Sequence, residues 1–332
     1  VVIQGSGVVF AGANSYSGAT TVDAGTVTLR HATALGSTAA GTTVSSGATL
    51  QLENSISVGA EALALNGTLR NVSGVNTYGG AISGTGNVIV SAGNLTLSGA
   101  AANTYTGATT LNTGQLDLAK TAGITAVAGN LVVGDGTGAA TLRLINSNQI
   151  ADTARVTLAD TGTPVFNVNG KAETIGSITS NNTAAALQLG AGTFATGGDN
   201  SSTTFAGIIS GTGTLTKQGT GTFTLTGPNT YTGATTISAG TVVARHSTAL
   251  GTVAGGVSVA DGATLQLENS ITLGAEALTL NGTLRSASGT NSYGGAISGT
   301  GVLSVDTGTL TLTGTTANTF TGVTTVQSGQ LD

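Results

Sequence analysis

The sequence has no cysteine, methionine or tryptophan, only two prolines, and few charges, since Asp, Glu, Lys and Arg together make up 7% of its 332 residues. Typical globular proteins are roughly 25% charged. The nine basic residues are scattered singly, whereas a nucleic-acid-binding protein shows a basic stripe for the phosphates. No apolar run approaches the ~18 residues of a membrane-spanning helix. We therefore expect no nucleic-acid partner and no membrane insertion of this segment.

The absence of cysteine fits an exported chain that avoids accidental disulfides. It also removes the thiolate ligands of common zinc sites, and no group of His, Asp and Glu has zinc-like spacing. We expect neither a metal nor a cofactor.

What the sequence does contain is glycine, at 54 residues, and apolar residues, at 39%. The apolar content argues against disorder, which accompanies low hydrophobicity. Gly does not occupy every third position, so a collagen triple helix is excluded. Aromatic residues are only 3%, which argues against a large compact core and favours a thin core of stacked layers.

A long internal duplication organises the chain. Residues 12–117 align without a gap on residues 227–332 at an offset of 215, with 70 identities in 106 positions. Residues 118–226 lie between the two copies. We expect one continuous array over 1–332, cut as a window from a longer repeat region.

A shorter phrase recurs within and between these copies. NSYSGATTVDAGTV at Asn14 returns as NTYTGATTLNTGQL at Asn103, NTYTGATTISAGTV at Asn229 and NTFTGVTTVQSGQL at Asn318. Its shared Asn, aromatic and Gly positions are predicted to be structural repeat positions: Asn14, Tyr16, Gly18, Asn103, Tyr105, Gly107, Asn229, Tyr231, Gly233, Asn318, Phe320 and Gly322. A related phrase, ending in GxISGTG, places Tyr78, Phe205 and Tyr293 in the same kind of aromatic slot. We expect the Asn and Gly to lie at turns and the aromatic residue to be a recurring packing group.

Short segments such as ATLQL, GTLTL and ATLRL alternate apolar and polar residues with period two, which predicts β-strands separated by short turns. A sandwich would close after about 100 residues, whereas this repeat is open-ended. The in-phase phrases favour an all-β parallel β-helix, or β-solenoid, in which each strand lies on the same strand of the previous turn. At ~20–25 residues per turn and ~4.8 Å between turns, the prediction is roughly 13–16 turns in an elongated rod on the order of 65–75 Å long.

The segments GTGTLTKQGTGTFTLTGPNTYTGATTISAGTV (Gly211–Val242) and TALG…VSSGATLQL (Thr33–Leu52) resemble the autotransporter-associated β-strand repeat. That repeat has Gly, apolar, Asn, Tyr and Thr residues at fixed spacings. These positions are occupied here by Gly213, Leu215, Gly219, Gly221, Phe223, Leu225, Gly227, Asn229, Tyr231, Gly233, Thr235, Ile237, Gly240 and Val242. The resemblance implies a right-handed parallel β-helix in the passenger region of a large bacterial surface or secreted protein. It carries no catalytic motif.

Candidates for chemistry are few. The two histidines, His31 and His246, are duplicates in the context RH-x-TALG, and we interpret them as turn or surface residues. GDGTGAATL at Gly134 approaches a calcium nonapeptide but lacks the Asp series, so we expect a turn. The densest charge group (Asp152, Arg155 and Asp160) is the nearest approach to the clustered acidic and basic residues of a polysaccharide lyase, and a solvated strand edge explains it equally well. Thr-x-Thr pairs in FTLTG and LTLTG are too infrequent for an ice-binding face.

The sequence thus favours a structural or adhesive region of an exported bacterial protein, extracellular or on the cell surface, and not an enzyme. Its expected partners are other copies of the chain in a fibre, or the surface and glycans of a host or neighbouring cell. The alternative is an inert scaffold for a passenger enzyme or toxin whose active part lies outside this segment.

Overall fold

A computed structural model describes all 332 residues as 40 short β-strands joined by turns and bends, with no helix. The strands pair in parallel in every ladder described below, so the predicted all-β solenoid is confirmed, with about 16 turns in the chain. The chain divides into two compact units, Val1–Asn167 and Val168–Asp332.

The first unit contains strands β1 to β19. In hydrogen-bonded order they form three parallel ladders, β1-β3-β5-β8-β11, β2-β4-β6-β9-β12-β14-β16-β18 and β7-β10-β13-β15-β17-β19. The bounds are β1 Val2–Ile3, β2 Val8–Phe10, β3 Thr20–Val22, β4 Thr26–Leu29, β5 Thr42–Val44, β6 Thr49–Leu52, β7 Ser57–Val58, β8 Leu63–Leu65, β9 Thr68–Asn71, β10 Val75–Tyr78, β11 Ile82–Ser83, β12 Asn87–Val90, β13 Asn94–Gly99, β14 Thr109–Leu111, β15 Gly114–Lys120, β16 Leu131–Val133, β17 Ala139–Leu144, β18 Arg155–Leu158 and β19 Thr163–Asn167.

The second unit contains strands β20 to β40. Its longer ladders are β20-β23-β26-β28-β30-β33-β36 and β24-β27-β29-β31-β34-β37-β39, with β32-β35-β38-β40 beside them. The bounds are β20 Ala172–Ile175, β21 Ser177–Thr179, β22 Ala186–Gln188, β23 Thr193–Thr196, β24 Thr203–Phe205, β25 Ile208–Ser210, β26 Thr214–Lys217, β27 Thr222–Leu225, β28 Thr235–Ile237, β29 Thr241–Ala244, β30 Val257–Val259, β31 Thr264–Leu267, β32 Thr272–Leu273, β33 Leu278–Leu280, β34 Thr283–Ser286, β35 Thr290–Tyr293, β36 Ile297–Ser298, β37 Val302–Val305, β38 Thr309–Leu312, β39 Thr324–Val326 and β40 Gln330–Leu331.

The register sets the length of each turn. Val75 lies beside Asn94 in the next turn, whereas Gly114 lies beside Ala140, so the second of these turns is the longer one. These two pairs lie close to the two ends of the predicted range of ~20–25 residues per turn. The strands stay paired in both turns, because the difference in length is absorbed in the bends between them.

The interior is filled by columns of mainly apolar side chains, because the period-two alternation points every second residue of each strand inward. One column of the first unit runs through Leu29, Leu52, Asn71, Val90, Leu111, Val133 and Leu158, all fully buried. A column of the second unit runs through Phe223, Val242, Leu265, Leu284 and Leu303. Most apolar side chains therefore pack on a similar one in the turns above and below, and Asn71 is the polar exception in the first column.

Candidate functional site

The repeated asparagine ties successive turns together. Asn103 is 1% exposed; its Oδ1 accepts a hydrogen bond from the Ile82 backbone N at 2.9 Å, and its Nδ2 donates to the Ala126 backbone O at 2.8 Å. One partner precedes Asn103 by about one turn of the chain, and the other follows it by about one turn. The one side chain therefore bridges the turn before its own and the turn after it.

Asn229 repeats this geometry in the second unit, with Ile209 N donating to Oδ1 at 2.8 Å and Nδ2 donating to Ala249 O at 2.6 Å. The other two copies lie nearer to solvent. Asn14 is half-buried and donates to Ala34 O at 2.7 Å, and Asn318 is exposed and accepts from Ile297 N at 2.9 Å.

None of the four repeated Asn has a positive φ; that conformation occurs at other positions, including Asn54 and Asn269. The sequence prediction placed the repeated Asn at a turn and did not include its hydrogen bonds to the neighbouring turns. The recurrence of an Asn at a fixed position of the phrase was the available signal.

The repeated tyrosine is an interior residue with a hydroxyl partner further along the same phrase. Tyr105 and Tyr231 are fully buried, and their hydroxyls share hydrogen bonds of 2.5 Å with Thr109 and Thr235. Tyr16 is half-buried and makes the same contact with its own threonine, Thr20, at 2.6 Å. Burial raises the pKa of the Tyr105 and Tyr231 hydroxyls well above the ordinary value, so both stay neutral in the fold.

The fourth copy carries Phe320 at the tyrosine position, which removes the hydroxyl. Phe320 is half-buried, and Thr324, at the position of the threonine partner, is exposed.

The repeated glycine is required by the close approach of neighbouring turns. A Cβ on Gly107 would overlap the Gly86 backbone O, and Gly233 and Gly322 face the same obstruction from the turn before them. Gly18 has open space around its Cα. At the three closely approached positions, any larger residue would push the stacked backbones apart.

The second aromatic phrase positions a buried glutamate. The hydroxyls of Tyr78 and Tyr293 each donate to a backbone oxygen at 2.9 Å, that of Glu61 and that of Glu276 respectively. Both glutamates are 2% exposed, and burial raises the pKa of each carboxyl. Thr42 Oγ1 donates to Glu61 Oε1 at 2.8 Å.

The duplicate position to Thr42 is Val257, which has no hydroxyl to offer. Oε2 of Glu276 has no hydrogen-bond partner.

Two lysines inside the fold escaped the sequence interpretation. Lys120 is fully buried and its Nζ donates to Gly80 O at 3.2 Å and Ser98 O at 2.9 Å; Lys217, 1% exposed, donates to Gly219 O at 2.8 Å. Burial lowers the pKa of each to about 8. The signal was present, because L-x-L-x-K in QLDLAK and L-x-K in TLTK place the lysine on the inward side of the strand.

The histidines lie at equivalent bends. Thr33 N donates to His31 Nδ1 at 3.2 Å, and Thr248 N donates to His246 Nδ1 at 3.1 Å. This agrees with the predicted turn role. In the neutral ring the hydrogen is therefore on Nε2, which stays available as a donor.

Charged pairs follow the stacking register. Arg30 and Arg245 contact Glu53 and Glu268 of the following turn at 2.9 and 2.7 Å. The three residues of the predicted strand-edge group, Asp152, Arg155 and Asp160, are all exposed.

The remaining sequence motifs form turns or outward positions. At GDGTGAATL, Asp135 Oδ1 accepts from Thr137 N and Oγ1 at 2.9 and 2.6 Å, and this contact lowers the pKa of the Asp135 carboxyl. Thr224 of FTLTG has Val243 as its neighbour in the next turn, so the Thr ladder is interrupted there.

No three His, Cys, Asp or Glu side chains lie together as a metal site would require. No helix in the chain is long and apolar enough to cross a membrane.

Comparison with known proteins agrees with this geometry. The family described as passenger-associated-transport-repeat matches residues 5–29, 90–118, 215–244 and 305–332, about a third of the chain. Each match contains or adjoins one copy of the Asn–aromatic–Gly phrase. No curated protein and no solved structure matches at a significant level. The resemblance predicted from the sequence is thereby confirmed: four segments spread along the chain match the passenger-associated-transport-repeat family.

Proposed function

We propose that this chain is a structural and adhesive region of an exported bacterial protein, presented at the cell surface as part of a stalk, fibre or adhesin. The family implies an exported passenger. The observation that carries the proposal is the Asn bridge, in which one buried side chain joins the turn before it to the turn after it. At Asn103 and Asn229 this bridge adds to the nearest-neighbour interactions between turns that hold a solenoid together.

The outward side chains support an adhesive contribution. Columns such as Thr26, Thr49 and Thr68, or Thr241 and Thr264, present the same small hydroxyl group turn after turn. A repeated surface with few charges favours many weak contacts, which gain strength when several engage together. Other copies of the chain and the glycans of a neighbouring cell suit such a surface, and no catalytic role is proposed.

Surface display tests the proposal. The full chain is displayed on a non-adherent bacterium through a fixed anchor, with the same anchor carrying an unrelated globular domain as the control. We expect the displayed chain to resist added protease and to increase cell–cell settling or attachment to a cell layer. A displayed chain that is intact but leaves settling and attachment at the control level would contradict the adhesive role. It would favour a scaffold for an activity located elsewhere.

A further inference from the structure

Residues 274–277 connect strands β32 and β33 and carry a buried acid, Glu276, which is 2% exposed. A Cβ added to Gly274 would lie 2.6 Å from Val253 Cγ1 and 3.6 Å from Glu276 Oε2, so Val253 and the carboxyl both approach this glycine. Val253 is itself 54% exposed. The duplicate glycine of the first copy, Gly59, has open space around it. The carboxyl of the second copy therefore lies buried just beneath a surface side chain.

The interior around this carboxyl offers Oε2 no hydrogen-bond partner. Glu276 Oε2 and Thr252 Oγ1 are both buried without a hydrogen bond, so they do not pair with each other either. An ionised carboxylate only accepts hydrogen bonds, and burying it without donors is far more costly than burying the neutral, protonated group. The closed structure therefore accommodates the protonated form of Glu276 better than the ionised form.

One difference between the duplicated copies removes the donor. In the first copy, Thr42 Oγ1 donates to Glu61 Oε1 at 2.8 Å. The offset of 215 puts Val257 at the Thr42 position. Val257 is 4% exposed, and its backbone N donates to Ala277 O at 2.8 Å, so it lies directly beside residues 274–277. A hydroxyl that supports the ionised acid in one copy is thus a methyl group in the other.

The titratable groups that face Glu276 supply no fixed positive charge. Tyr231 and Tyr293 are neutral, since burial and, to a smaller extent, the Glu276 charge raise the pKa of both hydroxyls. His246 lines the adjoining cleft, and no Lys or Arg does. Burial raises the pKa of the Glu276 carboxyl above its ordinary 4.5, and its own backbone N–H opposes this in part. Glu276 therefore holds its proton more tightly in the closed structure than in water.

We propose that residues 274–277 open to solvent when Glu276 loses its proton and close again when it is protonated. These residues belong to no strand, so they can move while β32 and β33 keep their pairing with other turns. Opening carries the ionised carboxyl into water and removes the Glu276 O that accepts from the Tyr293 hydroxyl at 2.9 Å. The second copy thus contains a pH-sensitive local opening that the first copy suppresses with Thr42.

The direction of the pH dependence follows from the raised pKa. The proton stabilises the closed form fully below the ordinary pKa of 4.5, and this stabilisation is lost as the pH rises through the raised value. Acid therefore closes residues 274–277 and neutral pH loosens them. The opening is a property of the solenoid itself and does not depend on the adhesive role proposed above.

Hydrogen exchange of the full chain, measured by mass spectrometry from about pH 4 to pH 8, tests the opening. Residues 272–278 (TLGAEAL) are compared with residues 57–63 (SVGAEAL) in the same sample. The peptides differ only in their first two residues, so pH affects their exchange chemistry almost equally. We expect the protection of 272–278 to fall relative to 57–63 by about tenfold or more, the factor that corresponds to a hydrogen bond to a charged group.

Three variants assign the effect to the carboxyl and its missing donor. Glu276→Gln keeps the size of the side chain but cannot ionise, so the relative fall in protection should disappear. Val257→Thr rebuilds the donor of the first copy and should shrink the fall. Thr42→Val removes the donor from Glu61 and should make the protection of 57–63 fall over the same pH range. Circular dichroism checks that each variant is folded.

A constant ratio of protection between the two peptides in the parent chain overturns the proposal, and so does a fall that survives Glu276→Gln. His246→Asn separates the carboxyl from the imidazole, since Asn keeps an acceptor for Thr248 N. This variant should leave the fall unchanged, and loss of the fall would overturn the proposal by assigning it to His246. Should Val257→Thr fail to fold, Thr42→Val decides: unchanged protection of 57–63 overturns the role of the donor.

Discussion

Replacement of Asn229 by alanine is the sharpest test of how the solenoid is held together. The variant removes the side chain that joins Ile209 N and Ala249 O, at 2.8 and 2.6 Å, without altering any backbone pairing directly. Both partners belong to turns adjacent to that of Asn229. The alanine methyl reaches neither of them.

The magnitude follows from the two backbone groups that the change leaves buried. Asn229 itself is 1% exposed, and Ile209 and Ala249 are fully buried, so water has little access to the freed N–H and C=O. Each buried group that loses its partner costs about 1–3 kcal/mol. For the two groups together, Asn229→Ala should therefore lower the free energy of unfolding of this region by about 2–6 kcal/mol.

Asn14→Ala is the matched control within the same chain. Asn14 occupies the same slot of the repeat but is half-buried, with a single hydrogen bond to Ala34 O. Water can replace much of that contact, so the expected loss is only about 0.5–1.5 kcal/mol. The comparison separates the effect of burial from the effect of removing an asparagine.

Urea unfolding followed by circular dichroism measures the overall change, and hydrogen exchange resolved by mass spectrometry locates it. The second method is needed because long repeat arrays need not unfold in one step. Faster exchange should be concentrated in the peptides containing Ile209 and Ala249. A loss below about 0.5 kcal/mol, or equal losses for Asn229→Ala and Asn14→Ala, would refute the idea that the buried amide bridges the turns.

Three further outcomes can be checked by the same unfolding methods. Lys120 and Lys217 each have a pKa of about 8 in the fold against an ordinary 10.5, so between these values only the unfolded chain keeps both protons. Each lysine should therefore raise stability by about 1 kcal/mol per pH unit from about pH 8 to 9.5. Lys217→Met should remove its share of that slope, and an unchanged slope would contradict the burial of its charge. Gly80→Ala would force a Cβ into a backbone oxygen of the previous turn and should lower the free energy of unfolding by about 1–3 kcal/mol. The control Gly59→Ala places its Cβ in open space and should lower it by under about 1 kcal/mol. Equal melting temperatures for the two variants would contradict the close approach at Gly80. Arg143 and Asp117 contact each other near the surface through two hydrogen bonds, at 2.9 and 2.7 Å. Arg143→Gln should therefore lower the free energy of unfolding by about 0.2–1 kcal/mol, and this loss should disappear in about 1 M salt. A larger loss that persists in salt would show that the pair is more than a surface contact.

Much of the architecture was predictable from the sequence because a solenoid repeats one local rule. The alternation in ATLQL and its duplicate predicts strands β6 and β31, and the recurring phrases predict that equivalent strands lie in register. Both predictions needed only the period of the side chains and the spacing of the phrases. The family resemblance rested on the same phrases, and the four segments that match the family model contain them.

The polar interior was harder to predict. Lys120 and Lys217 sit at inward positions of their strands, but a lysine at such a position is normally interpreted as a strand end, since burying an unpaired ammonium is costly. What makes burial tolerable is the set of backbone oxygens around each Nζ, which for Lys120 are supplied by Gly80 and Ser98 of earlier turns. That arrangement exists only once the turns are stacked.

By itself, the amino-acid sequence determined the strands, their stacking order and the repeated Asn, aromatic and Gly positions, because these depend on side-chain period and on identity between copies. Only the tertiary structure decided what those positions do. It placed Asn103 and Asn229 so that each joins the turn before its own to the turn after it. It also buried Glu276 with its Oε2 lacking a hydrogen-bond partner. The physical reason is that hydrogen-bond satisfaction depends on neighbours one turn apart in the chain. The length of each turn, which differs between the Val75–Asn94 and Gly114–Ala140 pairings, determines which residues become those neighbours.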